Sequence, residues 1–125
     1  MIPEFVTQEV EALRHAGYVV EVIEADGWLN VVFPNHGLPP GYNKRATQLL
    51  VRLPLSYCNG KPDMFWADED LRLQNGGIPR SADCLEPALG KHWRRFSWHL
   101  QNWNPATDNL FTYLEFVNRR LAQAV

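Results

Sequence analysis

The sequence predicts a single α+β domain, and three features carry that expectation. Apolar residues at helical spacing mark the two ends of the chain, short β-rich runs lie between them, and turn residues punctuate those runs. Length agrees, since 125 residues with 46% apolar content suffice for one hydrophobic core. No internal repeat or low-complexity tract interrupts it.

The elements follow in order. Thr7 can cap a first helix in which Val6, Val10 and Leu13 share a face, and Gly17 is a natural stop. Tyr18–Ile23 reads as a strand, Asp26-Gly27 is a hairpin signal, and Trp28–Phe33 is the antiparallel partner. Gln48–Leu53 and Asp63–Ala67 read as a third and fourth strand, so a four-stranded antiparallel meander is expected. Between Leu71 and Trp93, Gly76-Gly77, Pro79, Pro87 and Gly90 predict a long irregular connection, with at most a helical turn at Leu85–Leu89. Thr107 or Asp108 can cap a last helix, Asp108 to Val125, whose Leu110, Tyr113, Leu114, Val117 and Leu121 form one stripe that covers the sheet. Arg119 and Arg120 in its last turns suit the helix dipole.

Charge and cysteine usage exclude several functions. Twelve Lys and Arg against 14 Asp and Glu give a net charge of −2, which argues against a nucleic-acid surface and for a protein partner or small substrate. The N-terminal stretch lacks a basic segment followed by an apolar one, and no window approaches the ~20 apolar residues of a membrane span. A cytoplasmic protein without membrane association is the expectation. Cys58 and Cys84 show neither metal-ligand spacing nor a disulfide pattern, so free thiols and no metal or cofactor are expected.

The segment FPNHGLPPGYNKRATQLLVRLPLSYCNGKPDMFW, Phe33 to Trp66, joins a Pro-Pro-Gly-Tyr turn, a strand ending Leu-Pro, a loop tyrosine at Tyr57, and Lys61-Pro62 before Phe65. Phe96-Ser97-Trp98-His99-Leu100 follows later, then Trp103-Asn104-Pro105-Ala106. This order resembles the ubiquitin-conjugating (UBC-like) superfamily, and in particular its prokaryotic branch. The resemblance covers most of the chain. It implies the UBC-like fold, and because the last expected helix runs to Val125, a form shortened at the C terminus without the family's additional helices is the expectation. It also implies acyl transfer of the C terminus of a ubiquitin-like protein, received from an activating enzyme. In that branch such proteins are associated with bacterial operons encoding a ubiquitin-like protein, an activating enzyme and a peptidase, and with antiphage defence.

Ser97 stands where the family's catalytic cysteine is expected, after a two-residue deletion; a gapless count lands on Arg95, which cannot be a nucleophile. Acyl transfer needs an exposed nucleophile, an acceptor for its proton and a donor to the oxyanion. A serine needs a base where a thiol does not. In an extended Ser97–His99 segment, residues two apart share a face, which makes His99 the candidate base and sends Trp98 toward the core. The family's His-Pro-Asn motif is missing, and Asn75, otherwise an ordinary turn residue before Gly-Gly, is the candidate oxyanion donor together with backbone N–H groups.

Cys84, in the irregular segment and able to swing toward the site, is the competing nucleophile; Asp83 and Glu86 beside it oppose thiolate formation. Cys58 lies in the loop that binds ligases in the family. Trp93, Trp98 and Trp103 are either core anchors or a groove lining for an extended tail. The run Lys91, His92, Arg94 and Arg95 is either a solvated segment or a means of steering an acidic partner or holding a carboxylate. Two other readings remain. One is a catalytically inactive UBC-like module that binds a ubiquitin-like protein. The other is a small hydrolase built on Ser97 and His99 with Asp108 as orienter, although no nucleophile-elbow glycines flank Ser97.

Overall fold

A computed structural model describes residues 1–125 and contains two helices and six strands. Helix α1 spans Glu4–His15, and strands β1 to β6 span Glu21–Ala25, Trp28–Gly37, Ala46–Pro54, Phe65–Asp68, Cys84–Ala88 and Lys91–Phe96. Helix α2, Leu110–Ala122, follows. The strands form one antiparallel sheet in the order β1-β2-β3-β4-β6-β5. The expected meander is thus present as β1 to β4, but the sheet has six strands instead of four.

The sequence predicts an irregular Leu71–Trp93 segment; residues 71–83 form no strand, but from Cys84 the chain builds the extra pair, and β5 stands where at most a helical turn at Leu85–Leu89 is expected. Cys84–Ala88 pairs with Lys91–Phe96 through a tight turn in which Leu89 has φ 51° and Gly90 has φ 78°. Asp26 (φ 56°) and Gly27 (φ 79°) make the same left-handed pair between β1 and β2. The first turn carries the expected residues. The second hides behind a leucine at a left-handed position and behind Pro87, which lacks a backbone N–H and is tolerated because β5 is an edge strand with no further strand to donate to.

Helix boundaries also moved. α1 begins at Glu4, three residues before Thr7, with Pro3 as its N-cap, whose carbonyl accepts from Val6 and Thr7 N–H. Its end is as expected: Tyr18 N–H returns to the Leu13 carbonyl and Gly17 N–H to that of Arg14, with Gly17 at φ 101°. α2 is capped by Asn109 instead of Thr107 or Asp108. The Asn109 side chain accepts from Thr112 N–H while the Thr112 hydroxyl accepts from Asn109 N–H. Asp108 is engaged elsewhere, accepting from Asn104 N–H at 2.7 Å.

Both helices cover one face of the sheet. Val6, Val10 and Leu13 of α1 and Leu110, Tyr113, Leu114, Val117 and Leu121 of α2 pack on Val31, Phe33, Leu49, Val51, Phe65 and Phe96. Glu9 ties the helices together, its carboxylate accepting from the Tyr57 hydroxyl (2.8 Å) and from Leu110 N–H (2.9 Å) at the positive end of α2. The opposite face carries a smaller cluster, Val32, Leu50, Trp66, Ala88 and Trp93. Cations complete that cluster where no helix does: the Arg52 guanidinium lies 5.7 Å from the Trp28 ring and 5.5 Å from the Trp66 ring, and the Lys91 ammonium 4.2 Å from the Trp93 ring.

A bulge sets one buried polar group. Register runs from Phe33↔Leu49 to His36↔Thr47, so β2 holds one extra residue and turns both Phe33 and His36 toward the helices. His36 Nε2 donates to Asn118 Oδ1 of α2 at 2.8 Å. Burial lowers the His36 pKa below 6.5, opposed in part by the Asn118 bond. The unfolded chain therefore binds this proton more readily than the native state does. His36 contributes its full stability above pH 6.5, and that contribution is lost as pH falls below 6.5 and through the folded value. The unfolding free energy from urea titration is expected to drop between pH 7 and pH 5, by at most about 1.4 kcal/mol per pH unit for one proton. His36→Gln should flatten that drop; an unchanged slope in the variant would assign it to other groups.

Candidate functional site

The end of β6 and the segment before β4 meet because of the sheet register. Phe65 pairs with Phe96 as the last register pair of β4 and β6, which leaves Asp63 and Met64 beside the chain leaving β6 at Ser97. The two rings of that last pair stack at 4.7 Å and anchor the junction in the core. The chain then tightens at Ser97, where Trp98 N–H donates back to the Phe96 carbonyl at 2.9 Å. Ser97–His99 is accordingly not the extended run expected from sequence.

Here a cleft of about 300 Å³ is lined by Ser81, Ser97, Trp98, His99 and Gln101. Ser97 and His99 are thus brought to one cavity, although no hydrogen bond joins them. His99 Nδ1 pairs with Asp63 Oδ1 at 2.7 Å, both side chains being about half exposed. A carboxylate accepts at Nδ1 from the N–H of a neutral imidazole, which leaves Nε2 as the basic nitrogen. Ser97 Oγ accepts from Arg95 Nε at 3.1 Å. Residues 95 and 97 share a face, so the guanidinium lies over the hydroxyl, while its Nη1 is held by Glu86 Oε1 at 2.5 Å.

Several contacts hold this junction. Tyr113 of α2 donates its hydroxyl to the Met64 carbonyl at 2.7 Å; burial first, and then the Asp63 carboxylate, push that hydroxyl's pKa up. Lys61 Nζ donates to the Leu100 carbonyl at 2.5 Å. Ser97 N–H donates to the Ser81 carbonyl at 2.8 Å. Met64 (φ 59°) and Ser81 (φ 61°), on opposite sides of Ser97, both adopt the left-handed conformation that non-glycine residues avoid. For Ser81 this is the usual third position of a β-turn, closed by Ala82 N–H on the Pro79 carbonyl at 3.1 Å, whereas Met64 lies outside any such turn and its strain persists only where surrounding contacts enforce it.

Buried arginines pin the loop of residues 69–83 that carries Ser81. Arg94 Nη1 donates to the Ala82 carbonyl (2.7 Å) and Nη2 to that of Glu69 (2.8 Å). Arg120 Nη2 donates to the Arg80 carbonyl at 2.8 Å, and its guanidinium sits 5.3 Å from the Phe96 ring and 4.9 Å from that of Trp98. Burial lowers the pKa of both groups. The basic run is therefore no single solvated patch: Arg94 faces the core, Arg95 faces Ser97, and Lys91 pairs with Asp68.

The other candidates do not line the cleft. Asn75 Oδ1 accepts from Gly77 N–H at 2.8 Å, the turn role, and Asn75 does not line the cleft. Cys84 is not in a mobile loop; it begins β5, pairs in register with Arg95, and cannot swing without breaking that ladder. Cys58 is packed against the Pro105 carbonyl, and its own carbonyl accepts from Trp103 Nε1 at 2.8 Å, which joins the tyrosine loop to the Trp103-Asn104-Pro105-Ala106 segment. Trp93 is a core anchor, while Trp98 alone of the five tryptophans lines the cleft. Sequence reasoning missed Asp63, Ser81, Glu86 and the role of Arg95. Only the pairing of β4 and β5 with β6 places them, and that pairing was not legible without the second hairpin.

Residues 5–124 match the family model described as "Prokaryotic E2 family E". No curated protein and no solved structure matches the chain.

Proposed function

The chain belongs to prokaryotic E2 family E, and on that premise we propose that it accepts the C terminus of a ubiquitin-like protein from an activating enzyme as an oxyester on Ser97. The observation that supports this reading most is the Asp63–His99 pair on the cleft that Ser97 also lines. Asp63 fixes the tautomer in which Nε2 is basic, and His99, about half exposed, lines the same cleft as Ser97.

The Ser97 Oγ–carbonyl carbon bond forms and the bond from that carbon to the activating enzyme's thiolate or to AMP breaks, the leaving group keeping the electron pair. The hydroxyl proton passes to His99 Nε2 and then to the leaving group. Partners in this reading are the ubiquitin-like protein and its activating enzyme, in a bacterial cytoplasmic setting.

A specific observation favours a second reading. Ser97 bonds to Arg95 and His99 to Asp63, with no bond between Ser97 and His99, as suits a UBC-like module that binds its partner without chemistry. Incubation with the activating enzyme, ATP and the ubiquitin-like protein, followed by intact-mass spectrometry, separates the two. An adduct that survives thiol reductant and is cleaved by hydroxylamine is expected; binding without an adduct would establish the module.

A further inference from the structure

We infer that Arg95 is a catalytic residue of this site, the donor that stabilises negative charge on Ser97 Oγ and on the carbonyl oxygen as the bond forms, and that Glu86 is its positioning residue. The inference rests on the acyl-transfer reading of Ser97. Asn75, the residue expected as oxyanion donor, is committed to the Gly77 turn. Ser97 N–H is committed to the Ser81 carbonyl, and Trp98 N–H to that of Phe96. The N–H groups of Ser97 itself and of Trp98 are therefore not available to an oxyanion.

Arg95 fills that role by geometry. Its Nε–H already donates to Ser97 Oγ at 3.1 Å, so one oxygen lone pair is held and the hydroxyl proton is left free to point at a base. As the proton leaves, this neutral hydrogen-bond acceptor becomes anionic and the bond strengthens, which is the differential stabilisation that accelerates a step. The Arg95 side chain is about two-thirds buried, and Glu86 across the β5–β6 ladder holds Nη1 at 2.5 Å, which fixes the fork where charge develops. Nη2 forms no bond within the protein and remains to meet the substrate carbonyl oxygen.

The test measures the rate of Ser97 acylation by the ubiquitin-like protein and its activating enzyme in wild type, Arg95→Ala, Arg95→Lys and Glu86→Gln. Loss of one such donor costs on the order of 10²-fold, so Arg95→Ala is expected to fall by about that factor while still binding the partner. Arg95→Lys should recover part of the loss, and Glu86→Gln should slow the step by less than Arg95→Ala. Guanidinium ion at concentrations far below those that unfold the protein should restore rate to Arg95→Ala alone, a response that a merely structural role would not give. Acylation of Arg95→Ala at the wild-type rate overturns the inference and leaves the Ser97 reading standing. Failure of wild type itself to be acylated at Ser97 removes that reading, and the inference with it.

Discussion

Ser97→Ala is expected to remove the adduct with the ubiquitin-like protein completely while leaving the folded protein unchanged. The hydroxyl accepts one hydrogen bond, from Arg95 Nε, and lies half-buried at the end of a strand, so its loss should move stability by no more than about 0.5 kcal/mol. No other side chain on the cleft replaces it with equal support: the Ser81 hydroxyl has neither the Arg95 bond that Ser97 receives nor a hydrogen bond to the Asp63–His99 pair. His99→Ala should retain the nucleophile and slow acylation by about 10²–10⁴-fold, the range of a lost general base. Urea titration of both variants against wild type checks the first statement, and intact-mass kinetics check the second. A Ser97→Ala adduct of full yield would place the acceptor elsewhere.

The second large effect concerns the sheet face that no helix covers. Trp93 is 1% exposed there, its indole N–H donates to the Ala88 carbonyl at 2.8 Å, and the Lys91 ammonium lies against its ring. It also links the late hairpin to the rest of the sheet, since it pairs with Asp68 of β4 on one side and Glu86 of β5 on the other. Trp93→Ala is expected to cost about 3–5 kcal/mol, measured as a shift in urea midpoint at constant slope. Because Glu86 and Arg95 belong to the same hairpin, loosening it should also slow acylation in the fraction that remains folded. A loss under 1 kcal/mol would mean that this face collapses around the deletion and contributes little.

Legibility in the sequence followed the locality of the signal. Asp26-Gly27, Gly17 and the α2 stripe each encode their structure within a few residues, and each appears where expected. The β5–β6 hairpin was lost because Leu89 occupies a position that glycine or asparagine would have advertised, and because Pro87 argued against a strand that proves to be an edge. That loss carried through to the site. Ser97 and His99 were legible as a pair on one cavity, but their actual partners, Arg95 with Glu86 and Asp63, are set by register across β4, β5 and β6. Asp63 and His99 lie 36 residues apart, a separation that no local pattern bridges. Cys84 was misplaced for the same reason, since a strand residue was read as a loop residue.

Peptide mapping of the acylated wild-type protein is the most direct measurement. After reaction with the activating enzyme, ATP and the ubiquitin-like protein, proteolysis and tandem mass spectrometry should place the acyl group on the peptide containing Ser97, and on its hydroxyl. Acyl groups found on Cys84, Cys58 or a lysine, or no acylated peptide despite stable binding of the partner, would contradict a Ser97 oxyester.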